Sequence, residues 1–408
     1  MLAHKLVLPS LLLSAIALPL QGLHSAVAVL SAMPGVDMYF AGPLALLNFL
    51  HISAQQGILV KDGRSLELLH TVDAVVFDKT GTLTLEEPEV AQIHPFAAFH
   101  EDDVLRFAAI AEAHQSHPIA QAILTAAQTR NLTLPDGVEA RYEIGYGVQV
   151  HLRQTKVMSS EPEVGNSDSD MRIWVGSERF MRQEGIALPQ LLQPIQSRCA
   201  TLGHSLVYVA VDGALAGVLE LQPTVRPEAQ LVIAQLQRQG LTLYILSGDQ
   251  VEPTRHLAER LGIKDYFANV LPTEKAQFVA DLQTQGRKVC FVGDGINDTI
   301  ALKQAQVSIS LAGATTIATD TAQIVLMEKS LRQLPLLFEL SHRLERNLLT
   351  SFGLSVGTGV MIMTGALAFP MGIGAAVGFG SVALLAIVGN AMTPLLYTLK
   401  EQEGKQPF

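Results

Sequence analysis

The stretch Thr71–Thr84 reads TVDAVVFDKTGTLT, and the fold is organised around it. Its first half, Thr71–Phe77, is a short run of apolar and β-branched residues, which is typical of a buried strand in a parallel sheet. Polar residues follow at once, beginning with Asp78. The pattern predicts a strand that ends at a chemically active loop, with the Asp78 carboxylate at the strand's carboxyl end.

Two later segments repeat this pattern of a strand followed by a polar loop. Leu241–Leu246 runs into Ser247–Asp249, and Lys288–Val292 runs into Gly293–Gly295. Helical patterns such as Glu252–Leu261 lie between them. Because strands alternate with helices, the sequence predicts a doubly wound α/β domain whose loops meet at the carboxyl ends of its strands.

Apolar residues make up 49% of the 408 residues and are concentrated at the two ends of the chain. Leu6–Leu20 and Ala26–Leu50 predict a membrane hairpin whose second helix is broken near Pro34-Gly35. Asn347–Leu399 has no charged residue and is long enough for two more spans, with a turn at Pro370–Gly374. The sequence thus predicts two spans before and two after a polar middle.

Basic residues flank the predicted spans on one side, which the positive-inside rule assigns to the cytoplasm. These residues are Lys5, Lys61, Arg64, Arg343, Arg346 and Lys400. We therefore expect an integral protein of the plasma or inner membrane, in contact with the lipid bilayer, with both termini and the polar middle in the cytoplasm. The net charge of -10 and the lack of a long Lys/Arg run argue against nucleic acid as a partner.

The loop after the first strand carries the motif that indicates a family. Asp78–Thr84 reads DKTGTLT and resembles the DKTGT phosphorylation motif of the P-type ATPases, within the haloacid-dehalogenase-like superfamily. An aspartate at a strand end attacks phosphorus in line and forms an acyl phosphate, which divides one transfer into two. Gly81 lets the backbone leave the strand sharply. The resemblance implies that ATP phosphorylates Asp78, with Lys79 and Thr80 beside it.

Further motifs occur in the family's order along the chain. Ser247–Asp249 stands where the family usually has Thr-Gly-Asp, and it keeps a hydroxyl for the transferring phosphate. Lys275 resembles the lysine that neutralises the phosphorylated aspartate, and Gly293–Asp298 resembles the hinge motif. Pro223 departs from the family, which usually has an aspartate there. The catalytic residues implied beyond the first loop are Ser247, Gly248, Asp249, Lys275, Asn297 and Asp298.

ATP and Mg²⁺ are the implied cofactors. Two carboxylates, on Asp78 and Asp294, accompany a triphosphate in this family's site, and a hard divalent cation is needed to screen that charge. The resemblance assigns Mg²⁺ to Asp78, Thr80 and Asp294.

The pattern changes after the first motif to an inserted α+β module. Glu112, His117-Pro118 and Gly145–Gly147 resemble the nucleotide-binding signature of the heavy-metal-transporting branch. In that branch the histidine contacts the adenine, and the paired glycines allow the nucleotide to approach closely. The nucleotide-binding residues implied are Glu112, His117, Gly145 and Gly147.

The predicted fold is thus an α/β haloacid-dehalogenase-like doubly wound phosphorylation domain with an inserted α+β nucleotide-binding domain, flanked by transmembrane helices, two before and two after. We expect a transmembrane hairpin over residues 1–60 and the phosphorylation domain over 61–86 and 201–335. The nucleotide-binding domain is expected over 87–200 and the C-terminal hairpin over 336–408.

The membrane part departs from the branch, which carries Cys-Pro-Cys in a broken helix where thiolates bind soft metals. The nearest equivalent here is Met33-Pro34-Gly35, without cysteine. Asp37 is the only acidic side chain in the presumed spans, where a carboxylate is costly and usually functional. The alternative is that Asp37 faces water at the helix break or caps the next turn. We expect a harder or borderline divalent cation rather than copper(I), bound by Asp37 with Met33 and Met38 as softer contacts.

The expected function is ATP-driven translocation of a heavy or transition metal cation, by the catalytic C-terminal part of a P-type ATPase. The sequence contains no Thr-Gly-Glu, the loop of the family's actuator domain, so we expect a fragment or a split-pump half that works with a separate actuator-bearing chain. The alternatives are a membrane-anchored phosphohydrolase of the same superfamily and a split-pump half without independent transport. The intact nucleotide module argues against the phosphohydrolase. The identity of the ion stays open.

Overall fold

The computed structural model of the chain describes all residues except 1, 33, 86, 135–138, 144–146, 154–169, 294–295, 314–315 and 404–408. The chain divides into two compact units. The first unit comprises Met1–Val75, Gln235–Thr242 and Ala276–Phe408, and the second comprises Val76–Ala234 and Leu243–Lys275.

The helices are numbered in chain order. They are α1 (Leu2–Gln21), α2 (Leu23–Ser31), α3 (Met38–Gln55), α4 (Gly63–Leu69), α5 (Glu101–Glu112), α6 (Pro118–Thr129), α7 (Glu178–Gln183), α8 (Gln193–Leu202), α9 (Ala229–Arg238), α10 (Val251–Leu261), α11 (Pro272–Thr284), α12 (Thr299–Gln304), α13 (Thr316–Thr321), α14 (Leu334–Ala368) and α15 (Ile373–Glu403).

The strands are numbered in the same way. They are β1 (Ile58–Val60), β2 (Ala74–Asp78), β3 (Glu89–Pro95), β4 (Glu139–Glu143), β5 (Gly147–Arg153), β6 (Asp170–Gly176), β7 (Ser205–Val211), β8 (Ala214–Gln222), β9 (Thr242–Leu246), β10 (Asp265–Phe267), β11 (Val289–Val292), β12 (Val307–Leu311) and β13 (Ile324–Leu326).

The first unit contains a run of parallel strands connected through helices. Strands β11, β12 and β13 are parallel neighbours, with α12 and α13 in the connections, and β1 pairs antiparallel with β13. All residues of β11 and β12 are buried, because a sheet covered by helices on both faces leaves neither face to solvent. The predicted strand at Lys288–Val292 is confirmed as β11.

The second unit carries the strand that leads to the DKTGT loop. Strand β2 is buried along its whole length and ends at Asp78, as predicted. Its neighbour β9 pairs in parallel with β10, and α10 connects those two strands. The loop after β9 begins at Ser247, so the two predicted chemical loops both leave carboxyl ends of strands.

The inserted module is a six-stranded antiparallel sheet in the order β3-β8-β7-β6-β5-β4. Helices α5 and α6 cover one face with apolar side chains, among them Val104, Leu105 and Ile123, which are fully buried. The apolar residues of α5 recur at helical spacing, and burying that stripe against the sheet forms the module's core.

The predicted boundary of this module at residue 200 needs correction. Strands β7 and β8, expected in the phosphorylation domain, belong to the six-stranded sheet, where β7 pairs with β6 and β8 pairs with β3. The module's sheet therefore extends to Gln222. The sequence around Ser205–Val211 reads as a buried strand in either sheet, and only its pairing decides the assignment.

Two helices among the described residues are long and apolar enough to cross a membrane. They cover Leu331–Ala368 and Ile373–Leu395, and the short turn between them lies where it was predicted. Near the N-terminus, α2 ends at Ser31 and α3 begins at Met38, which confirms the predicted break. The apolar stretch Leu11–Gln21 within α1 is by itself shorter than a span, so the N-terminal spanning hairpin stays a prediction.

Polar side chains join α14 to α15 at a proline. Pro394 has no N–H, which leaves the Asn390 carbonyl without its usual helical donor. Asn347 Nδ2 and Thr393 Oγ1 each donate to that carbonyl at 2.7 Å, and Asn390 Nδ2 donates in return to the Asn347 carbonyl at 2.9 Å. The two helices are thereby held together by bonds that a hydrocarbon environment would not replace.

Candidate active site

The Asp78 carboxylate is held by a lysine in the second unit. Lys275 Nζ lies 2.5 Å from Asp78 Oδ1, and both side chains are more than nine-tenths buried. A buried carboxylate is tolerated only with such a partner, because desolvation of the isolated charge is costly. The structure thus brings together two residues that are 197 positions apart in the sequence.

The loop after Asp78 is bent at Gly81 and fixed by an arginine. Gly81 has φ 72°, a left-handed conformation that side chains disfavour, in agreement with the turn predicted there. Arg226 donates from Nη2 to the Gly81 carbonyl at 2.7 Å and from Nε to the Thr82 carbonyl at 2.8 Å. The sequence interpretation gave Arg226 no role, since a lone arginine beside a proline carries no signal of its contact.

One buried hydroxyl in this loop has no partner among the described residues. Thr82 is fully buried, and its Oγ1 has no hydrogen-bond partner among the described residues. A buried hydroxyl without a partner is costly unless a ligand or water completes it.

The second predicted loop, Ser247–Asp249, lies close to the first. Lys79 Nζ forms an ion pair with the Asp249 carboxylate. The Asp249 N–H donates to Ser247 Oγ at 3.1 Å, and the Asp249 carbonyl accepts from the Asn269 N–H at 2.7 Å. Ser247 is buried, whereas Gly248 and Asp249 are exposed. The loop is therefore fixed by its own backbone, and the Ser247 hydroxyl retains a proton to donate.

The hinge motif is described only in part. Asp294 lies outside the described residues, so its assignment to Mg²⁺ stays a prediction. Asn297 is exposed and Asp298 is buried, and both belong to the first unit. Their catalytic roles likewise stay predictions.

In the inserted module, Glu112 and His117 lie in contact as the last residue of α5 and the N-cap of α6. His117 Nδ1 accepts from the Ala120 N–H at 3.2 Å, so a neutral ring carries its proton on Nε2, which lies 3.1 Å from Glu112 Oε2. Burial raises the pKa of Glu112, and the nearby His117 opposes that rise only in part.

Gly147 is small for a reason that the sequence did not indicate. A Cβ built on Gly147 would lie 2.3 Å from a ring carbon of Phe180, so any side chain here collides with a fully buried aromatic ring. The backbone of Gly147 nevertheless lines the cavity described next. Gly145, its predicted partner, lies outside the described residues.

Residues of the DKTGT loop and of the inserted module line one cavity of about 1200 Å³ within the second unit. Of the predicted site residues, the lining includes Lys79, Thr80, Glu112, His117, Gly147, Gly248 and Asp249. Pro223, Gly203, His204 and Ser205 also line it, and the sequence interpretation assigned none of the last three to the site. The cavity is large enough for a nucleotide.

Asp37 belongs to the first unit and binds a neighbouring helix. Its Oδ2 accepts from Ser355 Oγ at 2.8 Å, while Ser355 Oγ accepts from the Gly35 N–H at 3.0 Å. Asp37 occupies the N-cap of α3 but makes no side-chain cap bond there, so the capping alternative is wrong. Met38 is partly buried beside it, and Met33 lies outside the described residues.

Comparison with known proteins gives consistent matches. A sequence model described as haloacid dehalogenase-like hydrolase matches residues 72–306. A probable copper-exporting P-type ATPase V of Mycobacterium tuberculosis is 34% identical over 371 residues, which cover 90% of this chain and 46% of that protein. A manganese-exporting P-type ATPase of Mycobacterium bovis is 30% identical over 407 residues, covering 97% of this chain and 54% of that protein.

Among solved structures, a zinc-transporting PIB-type ATPase in its E2.Pi state matches with TM-score 0.79 and 27% identity, over 94% of this chain and 62% of that one. The chain therefore spans about half the length of the curated relatives it matches. The matches confirm the predicted fold and the resemblance to the C-terminal portion of heavy-metal P-type ATPases. With the two apolar helices, they indicate an integral membrane protein.

Replacing Lys275 by Met should destabilise the region around Asp78. The substitution leaves the buried Asp78 carboxylate without this lysine. Removing one member of a buried ion pair destabilises a protein by about 3–5 kcal/mol. Hydrogen–deuterium exchange of the peptide containing β2 measures the effect. The double variant Asp78→Asn with Lys275→Met should regain protection because neither charge remains. Unchanged exchange in Lys275→Met alone would show that the pair contributes nothing to local stability.

Proposed function

Because the chain belongs to the haloacid dehalogenase-like hydrolase family and matches heavy-metal P-type ATPases over at least 90% of its length, we propose that it is the catalytic part of such an ATPase. In this proposal Asp78 accepts the terminal phosphoryl group of ATP, and the resulting aspartyl phosphate drives translocation of a metal cation.

The observation that carries the proposal is the cavity of about 1200 Å³ in the second unit. Both the loop that follows Asp78 and the Glu112–His117 pair of the inserted module line this cavity. A ligand that fills this cavity contacts both the loop and the inserted module. ATP is long enough to need both, with its base at the module and its phosphates at the loop.

The transfer step uses the groups around Asp78. A carboxylate oxygen of Asp78 forms a bond to the terminal phosphorus while the bond from that phosphorus to the bridging oxygen breaks, and ADP leaves with the electron pair. Lys275 stabilises the negative charge at Asp78, and Lys79 and Thr80, which follow it, line the cavity. Arg226 keeps the loop carbonyls of Gly81 and Thr82 in place.

Mg²⁺ fits the donor chemistry of this site. Asp78 and Thr80 offer hard oxygen atoms, the ligand type that Mg²⁺ prefers, and Asp294 would add a second carboxylate. Bound there, the ion would screen the charge of the triphosphate.

Incubation with Mg-ATP labelled in the terminal phosphate should give an acid-stable, hydroxylamine-sensitive label on the chain, and Asp78→Asn should abolish it. The matched control is Asp73→Asn, because Asp73 lies just before β2 and pairs with the surface residue Arg287. That variant should label like the wild type. Label that persists in Asp78→Asn would place the nucleophile at another residue.

His117→Ala should weaken ATP binding without unfolding the inserted module. Losing one such contact costs about 1–2 kcal/mol, or roughly tenfold in affinity, measured by calorimetry. The exposed His100, at the N-terminus of α5 and outside the cavity lining, supplies the control variant His100→Ala, which should bind normally. Equal affinities in the wild type and His117→Ala would reduce His117 to a structural N-cap.

For the transported ion, we propose a divalent cation that accepts oxygen ligands, bound by Asp37 with Met33 and Met38 as softer contacts. The Asp37 carboxylate and the Ser355 hydroxyl are in contact beside the break between α2 and α3. The manganese-exporting relative supports an ion of this kind, whereas the copper-exporting relatives favour a softer one.

The proposal includes cytoplasmic soluble parts and termini, spans in the lipid bilayer, and a Thr-Gly-Glu loop carried either by the rest of a longer protein or by a separate actuator-bearing chain. That loop would position the water that hydrolyses the aspartyl phosphate.

Phosphorylation of the chain by ATP should respond to Mn²⁺ or Zn²⁺ more than to copper(I), and Asp37→Asn should remove the response because it removes the charged ligand. Asp62→Asn serves as the control, since Asp62 caps α4 and asparagine caps equally well. A response to copper(I) alone that survives Asp37→Asn would overturn both the ligand and the ion preference.

A further inference from the structure

A buried carboxylate with three basic partners lies at the edge of the nucleotide cavity. Glu220 on β8 is almost fully buried, and its Oε1 lies 2.6 Å from His204 Nδ1. Its Oε2 lies 2.9 Å from His94 Nε2 and also pairs with Arg198. Burial disfavours ionisation of Glu220, but these hydrogen bonds and the charge of Arg198 outweigh it and lower its pKa to about 2.

The ionised Glu220 fixes the orientation of His204. A carboxylate only accepts hydrogen bonds, so His204 Nδ1 carries a proton and donates it to Oε1. The other ring nitrogen, Nε2, has no partner among the described residues. His204 lines the nucleotide cavity, whereas His94 and Arg198 are not part of its lining. Of the three basic side chains that contact Glu220, only His204 therefore lines the cavity.

The residue before His204 packs against the helix that follows the Ser247–Asp249 loop. The preceding residue, Gly203, lies so close to Pro253 that a Cβ there would be 2.4 Å from the proline ring. Pro253 belongs to α10, whose N-cap is Gln250, the residue after the Ser247–Asp249 loop. That loop is paired with Lys79 next to Asp78, so His204 adjoins the segment that handles phosphate.

We infer that His204, oriented by Glu220, binds the polyphosphate chain of the nucleotide in this cavity. A doubly protonated imidazole at this position lies between two anions, the Glu220 carboxylate and the phosphate, and both balance its charge. Nε2–H then donates a charge-assisted hydrogen bond to a phosphate oxygen. The inference rests on the proposed function, since it requires ATP in the cavity, and it adds a contact separate from the Glu112–His117 pair.

The test compares nucleotides that differ in phosphate number. Binding of ATP, ADP and adenosine to the full-length chain is measured by calorimetry for the wild type, His204→Gln and Glu220→Gln. Both variants should bind ATP and ADP about tenfold more weakly and adenosine as the wild type does, because only the phosphate contact is lost. Thermal unfolding of each variant checks that the module is folded.

His94→Gln is the matched control, since His94 binds the same carboxylate but does not line the cavity. It should leave ATP binding unchanged. An equal loss in His94→Gln and His204→Gln, or a loss that extends to adenosine, would overturn the inference, because the cluster would then act only on stability. Normal ATP binding in a folded His204→Gln overturns it while leaving the proposed function intact. If the wild type bound neither adenosine nor ATP, the proposed function itself would be overturned.

Discussion

The buried ion pair between Asp78 and Lys275 is the interaction on which the site depends. A carboxylate at the end of a fully buried strand is unstable as an isolated charge, so the fold must bring a cation to it. Lys275 is the last residue of the second unit and lies in the first turn of α11, which begins at Pro272. The ion pair stabilises the buried charge of the Asp78 carboxylate at the end of the strand. It also leaves an oxygen nucleophile beside a positive charge, which favours attack on an anionic phosphate.

Around that pair, the loop geometry is fixed by hydrogen bonds to the loop backbone and by the ion pair between Lys79 and Asp249. Arg226 holds two loop carbonyls, and the Ser247–Asp249 turn is closed by its own N–H groups. A Cβ at Gly248 would lie 3.5 Å from the Val270 carbonyl oxygen, an ordinary contact, while Gly147 avoids the ring of Phe180. As a result, polar groups line a cavity that remains large enough for a nucleotide.

The sequence predicted the elements that have strong local signals. The apolar run before Asp78, the glycine in its loop and the helix break near Pro34 are all present, because burial, positive φ and proline chemistry act within a few residues. The boundary of the inserted module was wrong because β7 and β8 have the same composition in either sheet. Arg226 and the Glu220 cluster were missed because their partners are distant along the chain and only the folded backbone brings them together.

The central claim is that Asp78 is the group that ATP phosphorylates. Borohydride reduces an aspartyl phosphate to homoserine, and peptide mass spectrometry then locates the converted residue. After incubation of the full-length chain with Mg-ATP, the account predicts homoserine at position 78 and at no other aspartate, and none without ATP. Conversion at a different carboxylate, or no conversion in a chain that demonstrably binds ATP, would contradict it.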